Sequence, residues 1–187
     1  MSYKRSDYRD KWRIERAAEA ARGRVGLDQL SVLDPLLSLD HLDAELFELS
    51  DLIPDDQLAL RRARSINFDG CASLHPETKQ PVIIVNCGRP IRRRMATLME
   101  ELAHLLLKHE PTRIETDPRL GILRRSYDRE QEHEAYDMGA ALLLPKQRIQ
   151  RDIKEQQLGL DQIADAHSCS EELVRSECAG CVSGIAI

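Results

Sequence analysis

Glu100, Glu101 and His104 stand in the order Glu-Glu-Leu-Ala-His, two acids and an imidazole whose intervals suit metal chemistry on a helix. There Glu100 and His104 lie one turn apart, so their side chains can converge on one ion. Glu101 then points to the neighbouring position, where a metal-bound water would stand and give up its proton. The spacing is that of H-E-x-x-H with a glutamate in the first position. Taken alone, E-E-x-x-H occurs by chance in many helices. Thr97, Glu100, Glu101, His104 and Lys108 recur at three- and four-residue steps, and that stripe is equally the line along which a buried helix meets water.

A protein-held metal needs a third ligand, and a second segment offers carboxylates. Glu130, Glu132 and Glu134 precede Gly139-Ala140-Ala141-Leu142-Leu143-Leu144-Pro145, whose small residues let helices approach closely. The plainer reading makes the three glutamates a solvated helix start, favoured by the dipole.

Other residues carry weaker signals. His109 follows His104 by five residues, which on a continuing helix turns it off the ligand face and makes it a surface or capping histidine. His133 points away from Glu132, and Tyr136, one turn beyond Glu132, is by default a packed tyrosine. Arg89, Arg92, Arg93 and Arg94 gather where cations oppose the helix dipole, which suggests either an acidic partner or a solvated face. Cys178 and Cys181, with His167 and Cys169, have no standard zinc-finger spacing.

These groups must be positioned by helices and a small sheet. Helical spacing predicts elements over 7–24, closed by Gly26, over 35–41, over 89–108, and over 128–151 with a bend at Pro145. Two short helices follow at 160–167 and 170–177. Leu46, Phe47 and Leu49 suggest a short strand, and 67–86 reads as a hairpin turning at 75–80, with Val82 to Val85 as its β-branched strand.

The 187 residues are enough for one core with a small appendage. A formal charge of -5 argues against a protein that coats nucleic acid or anionic membrane. No apolar run reaches membrane-span length, and no secretory signal is evident, so the expected location is the cytoplasm. The five cysteines fit a reducing compartment better than a disulfide framework. The 160–177 segment has the cadence of a helix-turn-helix. Seven acidic against three basic residues from Arg151 to Ile187 disfavour phosphate binding there.

The succession of N-terminal helix, hairpin, Thr97-Leu98-Met99-Glu100-Glu101-Leu102-Ala103-His104, then Glu132-x-Glu134-Ala135 and Ala140-Ala141-Leu142-Leu143-Leu144-Pro145 resembles the ImmA/IrrE metallopeptidases. The resemblance implies an α+β, zincin-like domain, mainly helical with a small sheet, over 1–155, and a short helical extension over 156–187 packed on it. It carries two metal ligands onto His104 and Glu132 and the catalytic glutamate onto Glu101. The third ligand falls on Glu100, where the family pattern has histidine. Zinc is the implied cofactor, with manganese or another divalent ion admitted by the carboxylate-rich set. The implied activity is hydrolysis of a peptide bond by a metal-activated water with Glu101 as general base. The implied substrate is a helix-turn-helix repressor in transcriptional or stress regulation. In zincin folds an edge strand aligns the peptide, and Val82 to Val85 is the candidate. Two alternatives stand beside this: a weak or inactive peptidase-fold binding module, and a DNA-binding regulator acting through the C-terminal helices.

Overall fold

The structure, a computed structural model, describes residues 8–52, 68–75, 77–109, 114–116, 123–125 and 128–178. Helix α1 (Tyr8–Arg24) ends in a turn at Gly26, whose φ of 77° suits a residue without Cβ. Arg22, fully buried near its end, donates to the carbonyl oxygens of Asp28, Ser31 and Leu142, tying the following loop to a distant helix. Helix α2 (Pro35–His41) starts as its sequence dictates: Asp34 Oδ1 accepts the Leu36 N–H at 3.0 Å and proline fills the first helical position.

Strand β1 (Glu45–Glu48) is shorter than the apolar pattern suggests. Leu49 begins a single helical turn, α3 (Leu49–Leu52), because Asp51 accepts the Glu48 N–H and curls the chain. The expected hairpin forms from β2 (Gly70–Leu74) and β3 (Pro81–Val85), antiparallel, with Ala72 opposite Ile83. Strand β1 pairs with β3 in parallel, so the sheet order is β1-β3-β2. Val82 to Val85 is therefore the middle strand, not the edge expected from its sequence. Its β-branched richness reflects burial: Ile83 and Val85 are core residues.

Helix α4 (Ile91–Leu107) follows, then a two-stranded antiparallel ribbon, β4 (Ile114–Thr116) and β5 (Leu123–Arg125), which the sequence pattern does not announce. The long helix expected over 128–151 is two helices, α5 (Arg129–Leu143) and α6 (Lys146–Lys154). Pro145 has no N–H to continue the ladder and its ring crowds the preceding turn, so it breaks the helix rather than bending it. Asp128 caps α5, its Oδ1 accepting the N–H groups of Glu130 and Gln131. Helices α7 (Leu160–Ala166) and α8 (Glu171–Cys178) deliver Ile163, Leu173 and Val174 to the common core and leave Glu171 and Glu172 exposed.

The pairing of α4 with α5 dominates the packing, with α1 also against α5 and the sheet over α4. Met99, Leu102 and Ala103 of α4 meet Ala135, Met138, Leu142 and Leu143 of α5 in one buried cluster. Among the described residues, no helix is long and apolar enough to cross a membrane.

Candidate metal centre

The close contact of α4 with α5 begins at a glycine. A Cβ on Gly139 would lie 3.0 Å from the Met99 carbonyl and 3.1 Å from the Glu100 nitrogen, so the helices touch backbone to backbone one residue before the acidic pair. On the other side of α4, a Cβ on Gly70 of β2 would lie 2.5 Å from Thr97 Cγ2 and 3.7 Å from Glu101 Cγ. The two glycines let α5 and β2 close on the stretch of α4 that carries the chemistry.

Within that clamp, His104 Nε2 of α4 and Glu132 Oε1 of α5 lie 3.9 Å apart, both side chains largely shielded from solvent. Glu100 stands near them. Its carboxyl is pushed up to about 7, first by burial and then by the charge of Glu132, with Arg93 opposing and Asp69 adding to the rise. Glu101 faces β2, where its Oε2 accepts the Ala72 N–H at 2.7 Å. The stripe on α4 is thus not simply the line where a helix meets water. Thr97 is buried beneath Gly70, and Glu101 is bound to a strand. Of the three acids at the start of α5, Glu130 is the exposed one, while Glu132 and Glu134 turn inward.

His109 corrects the sequence reading most sharply. Its Nδ1 lies 2.9 Å from His104 Nδ1, its Nε2 lies 3.1 Å from Glu134 Oε2, and its side chain is only 8% exposed. Helical spacing places it off the ligand face because it assumes that the helix continues. The helix stops at Leu107, and Lys108 takes a left-handed conformation with φ of 57°. The His109 N–H then bonds the His104 carbonyl at 3.0 Å, a Schellman-type closure that brings residue 109 back over residue 104. Burial lowers the His109 pKa below the ordinary histidine value, with Arg13 adding to that and Asp128 opposing it. Beyond it, Arg13 of α1 pairs with Glu134.

The arginine cluster also has a different meaning from either sequence reading. Arg89 and Arg93 both pair with Asp69, at 2.6 and 2.5 Å, while Arg92 pairs with Asp165 and Arg94 with Glu48. Burial raises the Asp69 carboxyl, but the two guanidiniums outweigh it and the net shift is downward. The four cations fasten the start of α4 to the residue before β2, to α7 and to β1. Their partners lie 20 to 73 residues away in sequence, so no local pattern reveals them.

A family model for the IrrE N-terminal-like domain, peptidase family M78, matches residues 52–178. The chain belongs to that family. No curated protein matches it at significant similarity. The M78 domain is an α+β fold of the zincin-like kind, with the hairpin preceding α4 and the helix pair α4 and α5 forming its centre.

Whether this M78 chain suits a metal depends on its donors. Among the described residues, no three His, Cys, Asp or Glu side chains already stand in a metal-holding group. The donor chemistry nevertheless fits a divalent cation: an imidazole nitrogen faces one carboxylate, and a second carboxyl is pushed up to about 7, first by burial and then by repulsion from Glu132. A cation placed there would relieve that repulsion. Tyr136 is 41% exposed rather than packed, and its phenol is raised by burial first and by the charges of Glu177 and Glu100 next. Among the described residues, the cysteines offer no comparable arrangement. Cys169 and Cys178 are buried, burial pushes the Cys169 thiol up to about 11, and Cys181 lies outside the described residues.

Proposed function

We propose that this M78 domain is a metal-dependent regulatory peptidase that hydrolyses a peptide bond in a protein substrate, by resemblance a transcriptional repressor. The observation that carries the reading is the approach of His104 Nε2 to Glu132 Oε1 at 3.9 Å from two different helices, with Glu100 beside them. Glu100, His104 and Glu132 would hold the ion, zinc first and manganese second, since two oxygen donors and one nitrogen suit harder ions better than the usual two-histidine set. Once bound, the ion supplies Lewis acidity and a water acidic enough to attack a carbonyl at neutral pH.

Glu101 accepts the proton of that water and returns it to the leaving amine. The Ala72 N–H holds Glu101 Oε2 at 2.7 Å and so fixes the plane of the base before substrate arrives. Because β3 is internal, β2 is the strand that offers an outer side next to Glu101, and an extended peptide would align there. The test is metal content and cleavage of a candidate repressor by the purified chain. Glu101→Gln should keep the metal and lose cleavage, and His104→Ala should lose both.

A second reading is a peptidase-fold binding module with little or no activity. Glu100 in place of histidine favours it, because an added carboxylate makes a poorer Lewis acid. A wild-type chain that retains a repressor on a column but leaves it intact with zinc and with manganese would decide for this reading.

A further inference from the structure

Glu134 is an acceptor only. Its Oε2 lies 3.1 Å from His109 Nε2, so the hydrogen in that contact belongs to the histidine. A neutral imidazole protonated at Nε2 has a bare Nδ1, which can only accept. His109 Nδ1 is 2.9 Å from His104 Nδ1, and the hydrogen there must come from His104. A neutral His104 protonated at Nδ1 has its lone pair on Nε2, the atom that faces Glu132. Arg13 closes the other end of the chain by pairing with Glu134 and keeping that carboxylate in place.

We infer that His109, with Glu134 and Arg13 behind it, is a positioning relay that fixes the tautomer and ring orientation of His104 so that Nε2 presents its lone pair to a cation. The inference rests on the proposed metal site, to which it adds the support behind one ligand. It assigns work to a histidine that the helical pattern discards. It also explains why α4 ends in a strained left-handed lysine: the closure at Lys108 is what places ring 109 against ring 104, their centroids 5.0 Å apart and their planes at 72°. Partners of this kind raise metal affinity by roughly 10- to 100-fold over a ligand left unsupported.

The metal-free 187-residue chain gives the first test, because long-range proton–nitrogen NMR correlations report the imidazole tautomers directly. His104 is expected as the Nδ1–H form and His109 as the Nε2–H form. His104 found as the Nε2–H form overturns the relay. His109→Leu should weaken zinc binding at least tenfold and release His104 into a tautomer mixture. His109→Gln, which can accept from one side and donate to the other, should restore most of the affinity and the Nδ1–H form. Equal losses in both variants would reduce His109 to a packing residue and overturn the inference. A wild-type chain with the expected tautomers but no affinity for either zinc or manganese would leave the relay standing and sink the proposed peptidase instead.

Discussion

Gly139 rests against the main chain of Met99, close enough that a Cβ at residue 139 would lie 3.0 Å from both the Met99 carbonyl carbon and its oxygen. Neither partner of that contact is a flexible side chain, so the strain of a larger residue has to move a helix. Gly139→Ala gains helix propensity worth about 1 kcal/mol. Overpacking costs about 1–3 kcal/mol, so the net loss should be up to about 2 kcal/mol in denaturant unfolding. The same variant should bind zinc more weakly, because α5 carries Glu132 away from His104.

Asp69 bridges Arg89 and Arg93 across the entrance to α4. Both pairs are partly open to solvent, which limits each to at most about 1 kcal/mol. Asp69→Ala should therefore destabilise the chain by about 1 kcal/mol at low ionic strength. Most of that difference should vanish in 1 M salt, where the Debye length is about 3 Å. A loss that ignores salt would mean that packing, not charge, holds the junction.

Much of the scaffold is legible in the sequence because its signals are local. Asp34-Pro35 marks the start of α2, the turn residues and the β-branched run mark the β2–β3 hairpin, and α1 stops just before Gly26. The features that escape depend on contacts distant in sequence or on backbone states that a residue type does not advertise. Strand β3 is rich in valine and isoleucine whether it is internal or at an edge, and only its pairing with β1 decides. Strands β4 and β5 are three residues each, too short for alternation to register. Lysine carries no mark of a left-handed turn, so Lys108 hides the return of His109. In the site itself, His104 and Glu132 can be picked out from the sequence by the resemblance, and they stand 3.9 Å apart, whereas His109 and Glu134 become visible only through their mutual distances.

Glu100 makes the metal-free chain less stable as pH rises. Its folded value of about 7 lies above the reference 4.5, so the folded state binds the proton more tightly than the unfolded state. The stability this contributes is fully present below about pH 4.5 and is lost as pH rises through about 7. At about 1.4 kcal/mol per pKa unit, the loss between pH 5 and pH 8 is on the order of 2–3 kcal/mol. His167 titrates in the opposite sense, since burial lowers its pKa, so the contribution of Glu100 is read from the difference between wild type and Glu100→Gln. The variant should show a gain relative to wild type that is larger at pH 8 than at pH 5, measured by urea unfolding in the presence of chelator. A difference independent of pH would place Glu100 in an environment with neither the burial nor the repulsion from Glu132 that raise its pKa.

Glu100→His restores the residue that the resemblance expects at this position and exchanges a charged oxygen donor for a neutral nitrogen. With two imidazoles and one carboxylate, the set should favour zinc over manganese more strongly than the native one does. It should also make bound zinc a better Lewis acid, because less negative charge reaches the ion. The expected outcome is a higher zinc-to-manganese affinity ratio, measured by competition titration, together with faster cleavage of any repressor that the wild-type chain cleaves slowly. Glu132 would lose a neighbouring like charge, so the variant should also tolerate alkaline pH better without metal than the wild-type chain does. Unchanged metal selectivity would mean that Glu100 does not reach the ion and that His104 and Glu132 hold it with some other group.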